Sequence, residues 1–320
     1  MYWLQKTFNM VLTLVLVSFI TFAALYMLPG DPAQLILGTE AEPQAVETLR
    51  SQLGLDLPWW QQYVSWATDM VQGDMGRSIT FSRGYPIGEL IASALPVTLA
   101  LALSAMLLAF GLSLLLGISA AARQGSWWDN LVLVVSQLGI SMPAFWVGIL
   151  LIQFFALGLG WLPPGGMPPW HNPGAVVAAL VLPTLALAMP RAGIMTRLVR
   201  SAMLDTLGED YIRTARSKGL AERVVLLRHG LKNAMVSIMT VSGIQLVQLL
   251  AGAIVIEQVF SLPGLGRLLL SAVLLRDLPL VQGLVFAGTA MVLFTNFVLD
   301  MLYPLLDPRI TREGVHHGKA

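Results

Sequence analysis

Residues 95–122 read LPVTLALALSAMLLAFGLSLLLGISAAA, and these 28 consecutive residues contain no Asp, Glu, Lys, Arg or His. An α-helix rises about 1.5 Å per residue, so about 20 apolar residues cross the roughly 30 Å of hydrocarbon in a bilayer. The stretch exceeds that length and offers no charged face to water. It therefore predicts a membrane-spanning helix.

Five further stretches lack the same residue types and reach or approach the same length. They cover residues 10–28, 131–163, 173–190, 235–256 and 278–299. The stretch 131–163 is longer than one span requires, and we expect Pro143 to break or kink it. The stretch 173–190 is short, and we expect its helix to continue through Arg191 toward Met195. The predicted fold class is all-α, a polytopic membrane protein with six transmembrane helices.

The composition agrees with a lipid environment. Hydrophobic residues make up 56% of the chain and charged residues only 12%, about half the charged fraction of an ordinary soluble domain. The chain has no cysteine, which excludes disulfides, Cys-ligated zinc, iron–sulfur clusters and thiol nucleophiles. Its net charge of +1 gives no indication of nucleic-acid binding.

The first stretch could instead be a cleaved signal peptide. Its apolar run is longer than a usual signal core, and residues 29–32 (PGDP) follow it where a small-residue cleavage site would stand. These flanks favour a transmembrane helix.

The distribution of basic residues predicts the orientation. Residues 196–234, between the fourth and fifth stretches, contain eight Lys and Arg, whereas residues 30–92 contain eight acidic and three basic residues. Because positive loops stay on the cytoplasmic side, the segment 196–235 is expected to be cytoplasmic, with both termini. We divide the chain into a first helix (1–29), an extracytoplasmic helical segment (30–93), a core with five spans (94–310) and a tail (311–320).

The extracytoplasmic segment is expected to contain helices. Thr39 and Glu42 have capping-box spacing, and Pro43 suits the first turn of a helix. A second helix is expected from Pro58, with aromatic side chains on one side at Trp59, Tyr63 and Trp66. We expect these aromatics to pack on the membrane surface or on the spans; contact with a substrate is the alternative.

Several kinds of chemistry have no residues to support them. The six stretches contain no acid, lysine or histidine for a proton relay, which disfavours a proton-driven carrier but leaves a sodium-coupled one open. The chain has no phosphate-binding loop, His-Glu-x-x-His zinc site or Gly-x-Ser-x-Gly elbow. If ATP drives this protein, a partner hydrolyses it, and no enzyme activity is indicated.

The segment 201–235 is the most informative part outside the spans. It predicts two short helices separated near Gly219, with Glu209 and Asp210 at the start of the first and Arg216 and Lys218 at its end. Gly219 can adopt the left-handed conformation that ends a helix and reverses the chain. A helix–glycine–helix projection of this kind suits docking into another protein. A basic loop that binds anionic lipid headgroups is an equally good interpretation of the residue pattern.

Motifs in this segment and elsewhere resemble permeases of the dipeptide, oligopeptide and nickel ABC importer family. The likeness covers almost the whole chain, and it is the order and spacing of the motifs that make it specific. The matching residues are 211–220 (YIRTARSKGL, the coupling or "EAA" segment), 29–32 (PGDP), 53–56 (LGLD) with Pro58, Gln62 and Tyr63, 73–76 (GDMG), 141–146 (SMPAFW), 260–266 (FSLPGLG), 276–277 (RD), 282–283 (QG) and 307–310 (DPRI). The chain departs from the general pattern at Arg213, where that pattern begins with Glu, and at Val236 and Ser237, where many relatives have Leu-Pro.

The resemblance implies a type I ABC importer permease in a bacterial inner membrane. The implied partners are a second permease, two cytoplasmic ATPase subunits that use ATP and Mg, and an extracytoplasmic binding protein, with no cofactor or metal bound by this chain. The resemblance also implies that Ala215 and Gly219 hold a close-packed turn that enters an ATPase cleft. The implied ATPase-coupling residues are Tyr211, Arg213, Thr214, Ala215, Arg216, Lys218, Gly219 and Leu220.

The substrate is less well marked than the class of protein. Peptides are our first expectation and nickel or a metal chelate the second; a stand-alone secondary carrier or channel is the rival class. Polar residues within the apolar stretches are candidates for lining the path, although each could instead form hydrogen bonds between helices. These candidates are Ser141, Gln153, Gln245 and Gln248.

Overall fold

The computed structural model describes residues 2–27, 32–38, 41–52 and 54–306. Some sequence predictions lie outside these residues. They are the opening motif at 29–31, the first two residues of the capping box (Thr39 and Glu40), Leu53, the motif at 307–310 and the tail.

Helices make up most of the described chain, and its described residues form no β-strand. The α-helices in chain order are α1 (Tyr2–Tyr26), α2 (Pro32–Leu37), α3 (Pro43–Gln52), α4 (Trp59–Val71), α5 (Ile87–Ala122), α6 (Trp127–Ser141), α7 (Ala144–Leu151), α8 (Pro173–Leu207), α9 (Asp210–Ser217), α10 (Glu222–Val224), α11 (Leu231–Val259), α12 (Leu265–Leu274) and α13 (Leu278–Leu306).

Five helical segments in the described chain are long and apolar enough to cross a membrane. They are Gln5–Tyr26, Ile87–Ala122, Pro173–Leu207, Glu222–Val259 and Leu278–Leu299. The pair α6 and α7 meets the same test only when taken together, which allows up to six spans. The predicted all-α, multi-pass membrane fold is confirmed, whereas the count of six and the orientation remain predictions.

The break between α6 and α7 lies where the sequence predicted it. The chain bends by 98° between them, and Met142 and Pro143 both adopt extended backbone conformations. Proline disfavours a helical conformation in the residue before it and cannot donate a backbone hydrogen bond. After α7 the chain continues in π-helical turns, Ile152–Gly158.

Helix α8 is longer than the apolar stretch that predicted it. It passes through Arg191 and Met195, as expected, and ends only at Leu207. The connection to the fifth stretch therefore begins twelve residues later than the predicted boundary at 196, because hydropathy detects the lipid-facing part of a helix and misses its polar extension.

The chain divides into two compact units, and the first comprises 1–97 and 263–297. Within it, α3 begins at Pro43 and α4 begins directly after Pro58, as predicted. The aromatic side of α4 packs on α1: the Tyr63 ring lies 5.5 Å from Phe19 and 5.4 Å from Phe22. The Tyr63 hydroxyl is also 2.9 Å from Ser18 Oγ. Packing on a span, the more favoured of the two interpretations, is confirmed for this aromatic face.

A buried carboxylate organises the end of α12 and the loop before α5. Asp277 is fully buried, and its Oδ2 accepts hydrogen bonds from Ser78 Oγ at 2.5 Å and from the backbone N–H groups of residues 79–81 at 2.9–3.0 Å. Its Oδ1 accepts from the N–H of Leu280 and so caps α13. Burial alone would raise the pKa of Asp277. The hydrogen bonds to its ionised form have the larger combined effect, so the pKa of Asp277 lies below the ordinary aspartate value.

We expect Asp277→Asn to destabilise this unit by about 2 kcal/mol, because an amide presents an N–H₂ group where one oxygen accepted hydrogen bonds. The lowered pKa means that the stabilisation is complete above the pKa of an ordinary aspartate and is lost as the pH falls through the folded-state value. Thermal unfolding of the detergent-purified chain should therefore show a large difference from wild type at pH 7 and a smaller one in acid.

Asp56 provides the control, because its side chain is exposed. Asp56→Asn should change the unfolding midpoint little at either pH. An Asp277→Asn chain as stable as wild type at pH 7 would show that the carboxylate is not needed for the loop.

The second unit, 98–262 and 298–320, is built on α8 packed against α6 and α11. Glycines let the helices approach closely, as is common in membrane proteins. A Cβ added to Gly193 of α8 would lie 2.5 Å from the carbonyl oxygen of Ser136 in α6, and one added to Gly117 of α5 would lie 2.7 Å from Val199 Cβ.

The unit also corrects the expectation that the spans carry no acid. Asp129 of α6 is buried and forms a bidentate ion pair with Arg200 of α8, with N–O distances of 2.5 and 2.7 Å. Glu257 near the end of α11 is fully buried and accepts a hydrogen bond from Thr98 Oγ1 at 2.6 Å. Glu257 lies in a helical segment that meets the span criterion and Asp129 in the bent pair that meets it together, but both lie outside the charge-free stretches from which the expectation was made.

Candidate functional site

A short helix and a tight turn follow α8, and we call residues 209–222 the coupling hairpin, after the role that the resemblance implies for them. Gly208 ends α8, Glu209 is extended, and α9 begins at Asp210, as the two acids predicted. After Lys218 the chain reverses at Gly219, whose φ of +75° lies in the left-handed region. The predicted conformation of Gly219 is therefore confirmed.

The turn at Gly219 is a Schellman motif. The N–H of Gly219 donates to the carbonyl of Arg216 at 2.9 Å, and the N–H of Leu220 donates to the carbonyl of Ala215 at 3.4 Å. These two bonds satisfy carbonyls that a helix end otherwise leaves unpaired, and the motif requires a left-handed residue where glycine stands.

The second arm of the coupling hairpin differs from the prediction. The helical segment that starts at Glu222 runs on to Val259, through π-helical turns at Val225–Gly230, so the second helix is the start of a candidate span and no separate short helix. The turn at Gly219 is therefore joined directly to the start of that candidate span and, through α9, to the end of α8.

One face of the hairpin is used for packing within this chain. Ile212 and Ala215 of α9 are buried against Val225, and Leu207 packs on the same cluster. The small side chain of Ala215 is therefore packed in the interior of the hairpin.

The other face is exposed and polar. Arg216 forms a bidentate interaction with Glu222 across the turn, at 2.7 and 3.2 Å, and the hydrogen bond to Glu222 raises the pKa of the Arg216 guanidinium. Tyr211 accepts a hydrogen bond from Asn233 Nδ2 at 2.6 Å. The coupling residues that the structure leaves exposed are Tyr211, Arg213, Thr214, Arg216, Lys218, Gly219 and Leu220.

The four residues predicted as candidates for lining the path fall into two groups. Gln245 and Gln248 of α11 both accept from Arg191 Nη1 of α8, at 3.4 and 2.5 Å, which is the helix-to-helix bonding considered as their alternative role. Ser141, at the end of α6, is exposed and donates to the carbonyl of Gln137 in its own helix at 2.9 Å, and Gln153 is exposed in the π-helical turns.

Sequence reasoning missed Arg191 as a functional candidate and treated it only as a continuation of α8. The available signal was a charged residue within a span, which is costly in lipid and is retained for function. Within the described residues, no group of three or more His, Cys, Asp or Glu could hold a metal ion.

Comparisons with known proteins match both ends of the chain. Residues 113–312 match the model of the binding-protein-dependent transport system inner membrane component, and residues 1–102 match that of its N-terminal part. A protein of Brucella abortus (strain 2308), provisionally named a peptide transport system permease protein, is 42% identical over 309 residues, covering 96% of this chain and 98% of that protein.

A second relative is the glutathione transport system permease protein GsiC of Escherichia coli (strain K12). It is 41% identical over 309 residues, covering 97% of this chain and 98% of the relative. The family model matches more than half of the chain, and both relatives match nearly all of it. The chain belongs to the family of binding-protein-dependent transport system inner membrane components, the permease subunits of ABC transporters.

Proposed function

We propose that this chain pairs with a second permease in an ATP-driven importer of short peptides, and that the coupling hairpin docks into a cytoplasmic ATPase subunit. The observation that carries the proposal is the coupling hairpin itself. Its interior is packed, its polar face is exposed, and its two arms continue into two candidate spans. A movement of the ATPase would therefore move the hairpin and, with it, the two spans that the hairpin joins.

The charge balance of the hairpin favours a protein partner over lipid headgroups. Residues 209–222 contain three acids and three bases, so the hairpin has no net charge. Arg213 lies 3.3 Å from Asp210, and Arg216 is paired with Glu222. Headgroup binding uses clusters of four to eight basic residues without such internal neutralisation.

The remaining partners follow from the family: two ATPase subunits that use ATP and Mg, and an extracytoplasmic binding protein that delivers the substrate. The predicted orientation, with both termini in the cytoplasm, places the coupling hairpin on the ATPase side. Family membership leaves the stand-alone carrier or channel without support.

Peptides are the substrate class that the relatives share. One is named for peptide transport and the other for glutathione, which is itself a tripeptide. Nickel and metal chelates, the second expectation from the sequence, have no such support among these relatives.

We expect an ATPase subunit and a second permease to copurify with this chain from native membranes. Cells that lack the chain should also lose uptake of a labelled short peptide and retain uptake of labelled nickel. Loss of nickel uptake alone would show that the substrate is nickel and not a peptide, and would leave the proposed ATP-driven mechanism unchanged. Purification of the chain alone or only with its own copies would contradict the importer assembly.

A further inference from the structure

A charged cluster lies near the midpoints of two packed candidate spans. Arg191 is close to the middle of α8 (Pro173–Leu207), and Gln245 and Gln248 are close to the middle of α11 (Leu231–Val259). The two helices pack together within one compact unit. We call these three residues the Arg191 cluster.

The contacts of Arg191 with the described residues leave its charge uncompensated. Both of its hydrogen bonds within the described residues start at Nη1 and end on neutral amide oxygens. Nine residues further along α8, Arg200 has a buried carboxylate as its partner. The ion pairs between described residues include Arg200 but not Arg191.

Arg191 has hydrogen-bond donors beyond those that hold it to the two glutamines. A guanidinium has five N–H donors, and within the described residues Nε and Nη2 of Arg191 donate no hydrogen bond. The amide oxygens of Gln245 and Gln248 face Arg191, so their N–H₂ groups are directed elsewhere. A guanidinium held by two neutral amide oxygens, with Nε and Nη2 unused by the described residues, is suited to a planar, two-oxygen anion.

The cluster also cannot face lipid. Arg191 is only half-buried in this chain, and Gln248 is exposed. An arginine in contact with hydrocarbon costs several kcal/mol, so arginines within spans face a water-filled cavity or another protein segment. In a transporter of paired permeases, the path between the two subunits provides that water.

We propose that Arg191, supported by Gln245 and Gln248, contacts the substrate in the path and binds a carboxylate of the peptide during its passage. This inference rests on the proposed peptide transport function. A peptide has one carboxylate at its C-terminus and others on acidic side chains, and both have the same chemistry. The cluster adds a selective step after delivery by the binding protein.

The test uses the complete importer in proteoliposomes with its binding protein and ATP. Initial uptake is measured for labelled tri-alanine, its C-terminal amide and Ala-Glu-Ala, each at a concentration that saturates the binding protein. The ratio of variant to wild-type rate for each peptide cancels the selectivity of the binding protein. Arg191→Gln removes the charge, Arg191→Lys retains it, and Arg123→Gln replaces an exposed arginine just beyond α5.

Arg191→Gln should lower uptake of tri-alanine and Ala-Glu-Ala about tenfold, the size of one charge-assisted hydrogen bond, and change uptake of the amide less than about twofold. Arg191→Lys should retain part of the preference, and Arg123→Gln all of it. A loss confined to Ala-Glu-Ala would assign the contact to a side-chain carboxylate.

Equal loss for all three peptides would show that Arg191 only joins α8 to α11, and would overturn the proposal. Unchanged uptake for all three would overturn it as well. A wild-type importer that moves none of the peptides would contradict the proposed function instead, so the two failures are distinguishable.

Discussion

Gly219→Asp is expected to abolish peptide uptake, by about 100-fold or more, while the chain still inserts into the membrane at wild-type levels. A Cβ added to Gly219 would meet no atom of the described residues within 4 Å, and the residue is exposed. No steric clash with these residues therefore opposes the new side chain. In the assembled importer it would enter the proposed ATPase contact, where a carboxylate without a partner costs several kcal/mol.

The backbone conformation contributes a second, smaller cost that has to be separated from docking. Gly219 has φ +75°, and a residue with a side chain pays up to about 1–2 kcal/mol there, although Asp tolerates this region better than most. Gly84 provides a matched control, since its φ is also +75°, it is exposed, and an added Cβ would again meet no atom within 4 Å.

Uptake is measured in cells that express each variant, with its membrane level determined by immunoblot. Gly84→Asp should retain uptake within about threefold of wild type, because it carries the same strain without the contact. Normal uptake by Gly219→Asp at an equal membrane level would reject the docking assignment. Equal loss in both variants would attribute the defect to backbone strain.

The spans were predictable because their signal is local. A charge-free stretch of about 20 residues has few alternatives to a bilayer, and each of the six stretches lies for all or most of its length in a helix or in the bent pair. The break at Pro143 and the reversal at Gly219 were predictable for the same reason, since proline and glycine restrict or release the backbone by their own geometry.

The ends of the helices were not predictable from hydropathy. Residues 196–207 and 222–234 are rich in charge, and the sequence presented them as parts of a connection. The structure continues α8 and the helix starting at Glu222 through them, because side chains of these extensions pack on each other: Val199, Met203 and Ala234 belong to one buried cluster. Packing between distant segments overrode the local pattern.

The polar contacts between distant residues could be identified only from the folded structure. Asp277 accepts hydrogen bonds from residues almost 200 positions earlier in the chain, and no sequence spacing predicts such contacts. The hydrogen bonds of Arg191 to Gln245 and Gln248 span 54 and 57 positions and also needed the fold, although the charge of Arg191 beside an apolar run was visible from the start. The coupling residues were located by the resemblance, and the structure distinguished the inward Ile212 and Ala215 from their exposed neighbours.

The largest stability effect is expected from the buried ion pair that joins α6 to α8. Asp129 is 1% exposed, and it accepts two hydrogen bonds from Arg200 and a third from the N–H of Gly125 at 3.0 Å. Removing one partner of a buried pair leaves the other charge without compensation, which typically costs about 3–5 kcal/mol. Asp129→Asn should lower the thermal unfolding midpoint of the purified chain accordingly and reduce its level in the membrane.

The expected stability effect depends on the burial of the Asp129–Arg200 pair. An exposed ion pair in the same unit provides the comparison. Arg216 and Glu222 approach to 2.7 Å with side chains 43% and 56% exposed, so Glu222→Gln should cost at most about 1 kcal/mol. If burial of an unpaired charge is the cause, the double variant Asp129→Leu with Arg200→Met should recover most of the stability lost in Asp129→Asn. A double variant as unstable as the single one would instead assign the loss to the bidentate geometry that holds α6 on α8.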